Sequence, residues 1–160
     1  MVENNTSHKY DVLVIGGGPG GYVAAIRAAQ LGGLNVALVE RDRLGGICLN
    51  WGGCIPPTKA MLHGADVAHT LSELDTYGFS SASVQFDISK LVSFSRGVSE
   101  RLSGGVAYLM KKNGVDVISG AAKLVDKGVV SVGGQTYRAD HVIIATGARP
   151  RSIPGVAPRR

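Results

Sequence analysis

The chain of 160 residues holds two cysteines, Cys48 and Cys54, and both lie in one stretch, Gly45-Gly-Ile-Cys-Leu-Asn-Trp-Gly-Gly-Cys-Ile-Pro-Pro-Thr-Lys59. A close thiol pair can cycle as a redox disulfide, supply half of a metal site, or lie buried and inert. Two cysteines without a second pair cannot close a tetrahedral zinc site, so no metal is expected. Cytosolic chains seldom keep structural disulfides, so such a pair is there either buried or reactive. The residue types alone leave those two readings open.

The elements that must position this stretch begin at Tyr10-Asp-Val-Leu-Val-Ile15, a β-branched run too uniformly apolar to be half exposed. It reads as a buried central strand of a parallel sheet. It runs into Gly16-Gly-Gly-Pro-Gly-Gly21, and an alanine-rich helix over Tyr22 to Leu31 comes next. Gly16, Gly18 and Gly21 satisfy Gly-x-Gly-x-x-Gly in the strand-turn-helix setting that gives the pattern meaning, with Pro19 and Gly20 between them. The first glycine makes the tight turn, the second lets a pyrophosphate approach the backbone, and the third lets helix and strand pack closely. Phosphate charge then meets the positive end of the helix. A second strand, Leu34 to Glu40, ends in an acid placed to hold ribose hydroxyls. The fingerprint predicts a dinucleotide and does not distinguish NAD from FAD.

Further along, Ala60 to Leu74 has a helical pattern that carries His63 and His69. Their spacing is not i, i+4, so they form no metal pair and read as partly exposed. Asp87 is placed to cap a helix that continues to about Lys112. Ile88, Leu91, Val92, Val98, Leu102, Val106, Leu109 and Met110 fall near one stripe, predicted to pack on the sheet or a partner subunit. Gly104-Gly105 marks a weak point or a close contact within it. Val115 to Gly120 reads as another parallel strand. Short signals at Lys123 to Val125, Val129 to Val132 and Thr136-Tyr137 suggest an antiparallel meander, and His141 to Gly147 a returning buried strand.

Composition narrows the classes. Apolar residues make up 44% of the chain, with 23 glycines and 6 prolines, as in an ordinary α/β globule. No apolar run reaches the length of a membrane span, and Met1 to Lys9 lacks the features of a signal peptide. A cytoplasmic location is the default expectation. The net charge of +5 is spread among helices apart from Arg149, Arg151, Arg159 and Arg160, and lacks aromatic interleaving. Nucleic acid is therefore not an expected partner.

The cysteine stretch resembles the active-site segment of the flavin-dependent disulfide oxidoreductases, most closely the dihydrolipoyl dehydrogenase branch. Gly45, Gly46, Cys48, Leu49, Asn50, Cys54, Ile55 and Lys59 have counterparts in that family's Gly-Gly-x-Cys-Leu-Asn-x-Gly-Cys-Ile-Pro-Thr/Ser-Lys pattern. The resemblance implies that Cys48 exchanges with the substrate disulfide, Cys54 contacts the flavin and Lys59 lies near its ring. It implies FAD at the first fingerprint, with Arg41 leading from Glu40 into the cysteine stretch. The sequence Ala145-Thr-Gly-Ala-Arg-Pro150 resembles a second family signature, which places Thr146 and Gly147 near the cofactor, and Ala122 matches a position whose backbone meets the adenine. NAD as electron acceptor, lipoyl domains of 2-oxo acid dehydrogenase complexes and a homodimer are implied for the full-length family.

The expected fold is α/β, a Rossmann-like FAD-binding parallel sheet with a small antiparallel meander, incomplete relative to the family. A disordered tail is expected over 1–9, the FAD-binding domain over 10–150 and a truncated tail over 151–160, with no turnover by the chain alone. Three departures stand out. Gly52-Gly53 separates the cysteines by five residues where the family has four, Pro56-Pro57 replaces one proline, and Gly32-Gly33 replaces one glycine. In a regular helix each added residue would rotate all later side chains by about 100°. A bulged or broken helix is therefore expected between Cys48 and Lys59, with Pro56 held away from helical conformation by Pro57. Glutathione or mercuric reductase-like enzymes share the cysteine segment and form the alternative enzyme reading. A non-catalytic nucleotide-binding remnant docking through a sheet edge is the reading from another class.

Overall fold

A computed structural model describes residues 8–51, 56–80, 85–148 and 154–155, with 56 and 57 described by their backbone alone. The expectations for residues 1–7 of the tail, for Cys54 with its neighbours Gly52, Gly53 and Ile55, and for most of 149–160 lie outside those residues, while His8 and Lys9, expected in the tail over 1–9, instead begin the first strand, paired with Tyr137 and Arg138.

Among the described residues, six strands form one sheet in the order β3-β2-β1-β6-β5-β4. β1 (His8–Ile15), β2 (Val36–Glu40), β3 (Asp116–Ser119) and β6 (Gln135–Ile144) are parallel, with Val14 opposite both Leu38 and Ile143. β4 (Ala122–Asp126) and β5 (Val129–Val132) are antiparallel. The uniformly apolar β1 and β2 sit in the middle because both faces are covered. Val12, Val14, Val36 and Leu38 face a core shared with Ala25, Leu49, Val106 and Met110 of the helices. Leu13, Ala37 and Val39 point the other way, onto Val130, Val132 and Tyr137 of β5 and β6. Each such fully buried side chain is worth roughly 1.5–3 kcal/mol relative to exposure.

Helix α1 (Pro19–Gln30) starts with Gly18 at its N-cap and Pro19 in its first turn, where a missing N–H costs nothing. The extra glycine after it is absorbed as expected: Gly32 and Gly33 both take positive φ in open space, and β2 keeps its register on β1. Helix α2 (Gly46–Asn50) ends at Trp51, whose φ of −118° and ψ of 14° leave the helix, and helix α3 (Pro56–Ser72) is a separate element. No unbroken helix joins Cys48 to Lys59. The expectation for Pro56 is corrected, because both prolines lie in the first turn of α3, where the N–H groups have no intrahelical acceptor to lose. A 3₁₀ turn (Leu74–Tyr77) comes after α3.

Helix α4 (Ile88–Lys112) is capped as the sequence predicts, the Asp87 carboxylate accepting from the Ser89 amide at 2.9 Å. Its rotation differs from the predicted stripe. Ser95, Ser99, Val106 and Met110 are buried, while Ile88, Val92, Leu102 and Leu109 are exposed. Polar bonds from Arg96 and Ser103 to α2 and the loop before it set the rotation, and the small serines allow the close approach. No close contact forms at Gly104-Gly105, where an added Cβ would meet nothing within 4 Å.

Two further expectations change at β6. Thr136-Tyr137 and His141 onward belong to one continuous strand, antiparallel to β5 up to Arg138 and parallel to β1 as far as Ile144. The stretch beyond Ala139 is not buried, and Ile143 and Ile144 are 38% and 66% exposed, because no described strand pairs with its far side. No helix among the described residues is long and apolar enough to cross a membrane.

Candidate functional site

The site is built where β1, β2 and β6 end together. Gly16 donates its amide to the Val39 carbonyl at 2.8 Å, and Ala145 donates to the Ile15 carbonyl at 2.8 Å, so the turn after β1 is stitched to both neighbours. Gly16 has φ of 108°, and a Cβ there would strike the Ala145 carbonyl. A Cβ at Gly21 would strike the Gly16 carbonyl, which explains why α1 can rest directly on the turn. These are the tight-turn and close-packing roles expected of the first and third glycines. Gly18, the second, is the N-cap of α1 and its Cα faces Gly46.

Glu40 folds the opposite wall. Its Oε2 accepts from the Gly17 amide at 2.6 Å and its Oε1 from the Asp42 amide at 2.9 Å. The carboxylate therefore sits against the glycine turn. Gly120 donates to the Glu40 carbonyl at 2.8 Å and brings the β3–β4 connection to the same place.

The cysteine stretch is tied to the glycine turn by the Gly45 amide, which donates to the Gly17 carbonyl at 2.8 Å. Gly45 and Gly46 have φ of 100° and 58°, and a Cβ on Gly46 would lie 2.8 Å from the Gly18 Cα. Only glycine lets α2 start this close to the turn. Behind it, Asn50 is buried and its side-chain NH₂ donates to the carbonyls of Leu44 at 3.0 Å and Gly46 at 3.1 Å. Helix α4 braces the same unit, Arg96 donating to the Asn50 carbonyl and Ser103 to the Leu44 carbonyl, each at 2.8 Å. Trp51 closes the other end, its indole N–H donating to Asp42 Oδ2 at 3.0 Å.

Two adjoining cavities result. The first, of about 320 Å³, is walled by Glu40, Arg41, Gly120, Ala122, Thr146 and Gly147. The second, of about 390 Å³, continues past Gly18, Pro19 and Gly46 to Ile47, Cys48 and Trp51. Both share Gly16, Glu40, Arg41, Thr146 and Gly147, so they form one trough of the size that holds a cofactor. Arg41 and Arg43 line the second part together with Glu40 and Asp42.

Of the residues predicted from sequence, Gly16, Gly18, Pro19, Glu40, Arg41, Gly46, Cys48, Ala122, Thr146 and Gly147 line the trough. Gly21 and Gly45 support it from behind, while Gly20 is exposed on α1 and lines neither part. Lys59 is exposed on α3 and lines neither part, and Cys54 lies outside the described residues. His63, His69 and His141 are exposed, with His69 paired to Glu73 at 3.6 Å, and no group of metal-binding side chains occurs among the described residues. Sequence reasoning missed Asp42, Arg43, Trp51 and the bracing pair Arg96 and Ser103. Only Trp51, the single tryptophan and placed between the two cysteines, carried a signal that could have found it.

Residues 10–160 match the family described as pyridine nucleotide-disulphide oxidoreductase. The chain is 49% identical, over 95% of its length, to a dihydrolipoyl dehydrogenase of Rhizobium etli, of which it covers 35%. It is 51% identical over 92% of its length to a dihydrolipoyl dehydrogenase of Zymomonas mobilis, covering 32% of that protein. A dihydrolipoyl dehydrogenase 2 of Haloarcula marismortui is 45% identical over 97% of the chain, which covers 34% of it. The chain thus spans about a third of the length of these curated relatives.

Proposed function

Because the chain belongs to the pyridine nucleotide-disulphide oxidoreductase family, we propose that it provides the FAD-binding and thiol-bearing part of a dihydrolipoyl dehydrogenase. The observation that carries this reading is that one trough is lined both by the glycine turn, Gly16 and Gly18, and by Cys48.

The residues fit the cofactor. Glu40 offers its carboxylate to the ribose hydroxyls, and the small cradle at Gly18 and Gly46 leaves backbone open to the pyrophosphate at the start of α1. Arg41 and Arg43 add positive charge along that path. Ala122, Thr146 and Gly147 wall the adenosine end, and the other end of the trough reaches Cys48. Bound FAD would supply a two-electron acceptor, with NAD taking the electrons onward.

The thiol step belongs to the protein. A thiolate of dihydrolipoamide attacks the Cys48 sulfur of a Cys48–Cys54 disulfide, and the Cys54 sulfur leaves as thiolate. The second substrate thiol then displaces Cys48, closing lipoamide and leaving both protein cysteines reduced. In this reading Cys48 is the exchange cysteine and Cys54 the flavin-side cysteine, with Lys59 near the flavin ring. The partners are lipoyl domains of 2-oxo acid dehydrogenase complexes and a second copy of the protein, in the cytoplasm. The names of the relatives favour the lipoamide branch over glutathione or mercuric reduction.

The test is a titration of the purified chain with FAD, read by flavin absorbance and by protection of Cys48 from alkylation. Saturable uptake with protection supports the reading. Failure to take up FAD overturns it.

A further inference from the structure

Asp42 and Trp51 lie on different elements, one in the loop after β2 and one at the end of α2, and a single side-chain hydrogen bond of 3.0 Å joins them. The loop is not free to place Asp42 anywhere. Its amide donates to Glu40 Oε1 at 2.9 Å, and Glu40 is in turn held by the Gly17 amide. The backbone of Trp51 is equally constrained, because its amide donates to the Ile47 carbonyl at 3.1 Å and fixes the residue as the C-cap of α2, three positions past Cys48. Trp51 and Cys48 wall the same cavity, yet Trp51 is 59% exposed, so packing alone does not hold the ring there.

From this geometry we infer that Asp42 and Trp51 are a positioning pair for the thiol chemistry: Asp42 pins the indole across the mouth of the trough beside Cys48, and the ring sets how large a group can approach that sulfur. The inference rests on the assignment of Cys48 as the exchange cysteine. A reduced dithiol on a slender carrier arm passes such a wall, whereas a bulkier thiol is turned away. The carboxylate acts through its acceptor oxygen, so an amide in its place should serve.

The test uses the 160-residue chain carrying Cys54→Ser, which leaves one thiol, and tracks Cys48 alkylation by iodoacetamide and by a bulky aryl maleimide across pH. For Asp42→Ala and Trp51→Ala the maleimide plateau rate should rise about fivefold, with the pH midpoint of the reaction unmoved, because access changes and thiolate formation does not. Asp42→Asn should stay within about twofold of the parent, since its amide oxygen still accepts from the indole. Emission from the sole tryptophan should shift to the red in Asp42→Ala and not in Asp42→Asn. Equal rates in Asp42→Ala and Asp42→Asn, or a displaced pH midpoint with the plateau unchanged, would overturn the inference. The flavin assignment is judged separately, by whether FAD protects Cys48 in the unaltered chain, so the two can fail independently.

Discussion

The amide of Gly17, in the turn after β1, donates to Oε2 of Glu40, the last residue of β2, across 2.6 Å. This bond makes the Glu40 carboxylate, which the proposed function assigns to the ribose, part of the glycine turn. Glu40→Ala removes the acceptor for both Gly17 and Asp42. Unfolding free energy should fall by about 1–3 kcal/mol, because Gly17 is buried and its amide loses its acceptor while the exposed Asp42 amide turns to water, and FAD affinity should fall at least about tenfold. Glu40→Gln retains one acceptor and should lose less on both counts. Thermal unfolding and flavin titration measure the two effects.

The neighbouring glycines of α1 should respond in opposite ways to the same change. At Gly21 an added methyl would run into the Gly16 carbonyl, whereas at Gly20 it meets nothing within 4 Å. Gly21→Ala should cost at least about 1–3 kcal/mol through overpacking and abolish FAD uptake. Gly20→Ala should be neutral or stabilise by up to about 1 kcal/mol. Denaturant midpoints of the two variants, set side by side, check this.

Tyr10 ties β1 to β3, its phenol donating to Asp116 Oδ2 at 3.1 Å. Burial, then that hydrogen bond and the carboxylate's charge, push its pKa from 10.0 up to about 12. The folded state thus holds the proton more tightly than the unfolded chain. Its contribution to stability is complete below pH 10 and is lost as pH rises from there through about 12. Tyr10→Phe should lower stability at neutral pH and flatten the decline over that alkaline window, as read from denaturant midpoints against pH.

Helix α4 carries both a strong start and a weak middle. Asp87→Ala removes the acceptor for the Ser89 amide and should cost about 1 kcal/mol, while Asp87→Asn should cost a few tenths. Gly104→Ala and Gly105→Ala enter open space in the helix and should each add about 0.5–1 kcal/mol. Calorimetry on the four variants checks the pattern.

These cases show which parts of the molecule could be read in advance. The run β1, glycine turn, α1, β2 and Glu40 was legible because local sequence dictates each step: a β-branched strand, glycines at contacts only they can make, and an acid at the strand end. The Asp87 cap was legible for the same reason. The rotation of α4 was not, since Arg96 and Ser103 reach carbonyls far away in sequence and outweigh the apolar stripe. The unity of β6 was hidden by Arg138-Ala-Asp140, which interrupts the apolar pattern while the backbone continues. The bond from Asp42 to Trp51 depends on the shape of a loop and no periodicity announces it. The first-turn placement of Pro56 and Pro57 ran against the rule for residues preceding proline, which describes a bias of the chain and yields where a helix begins.

The unbroken course of β6 has a mechanical side. Its first half is clamped by the hairpin of β4 and β5, and its second half runs straight to Ala145, Thr146 and Gly147 at the trough. With no break in the strand between them, one continuous backbone links the β4–β5 hairpin to Thr146 at the far end.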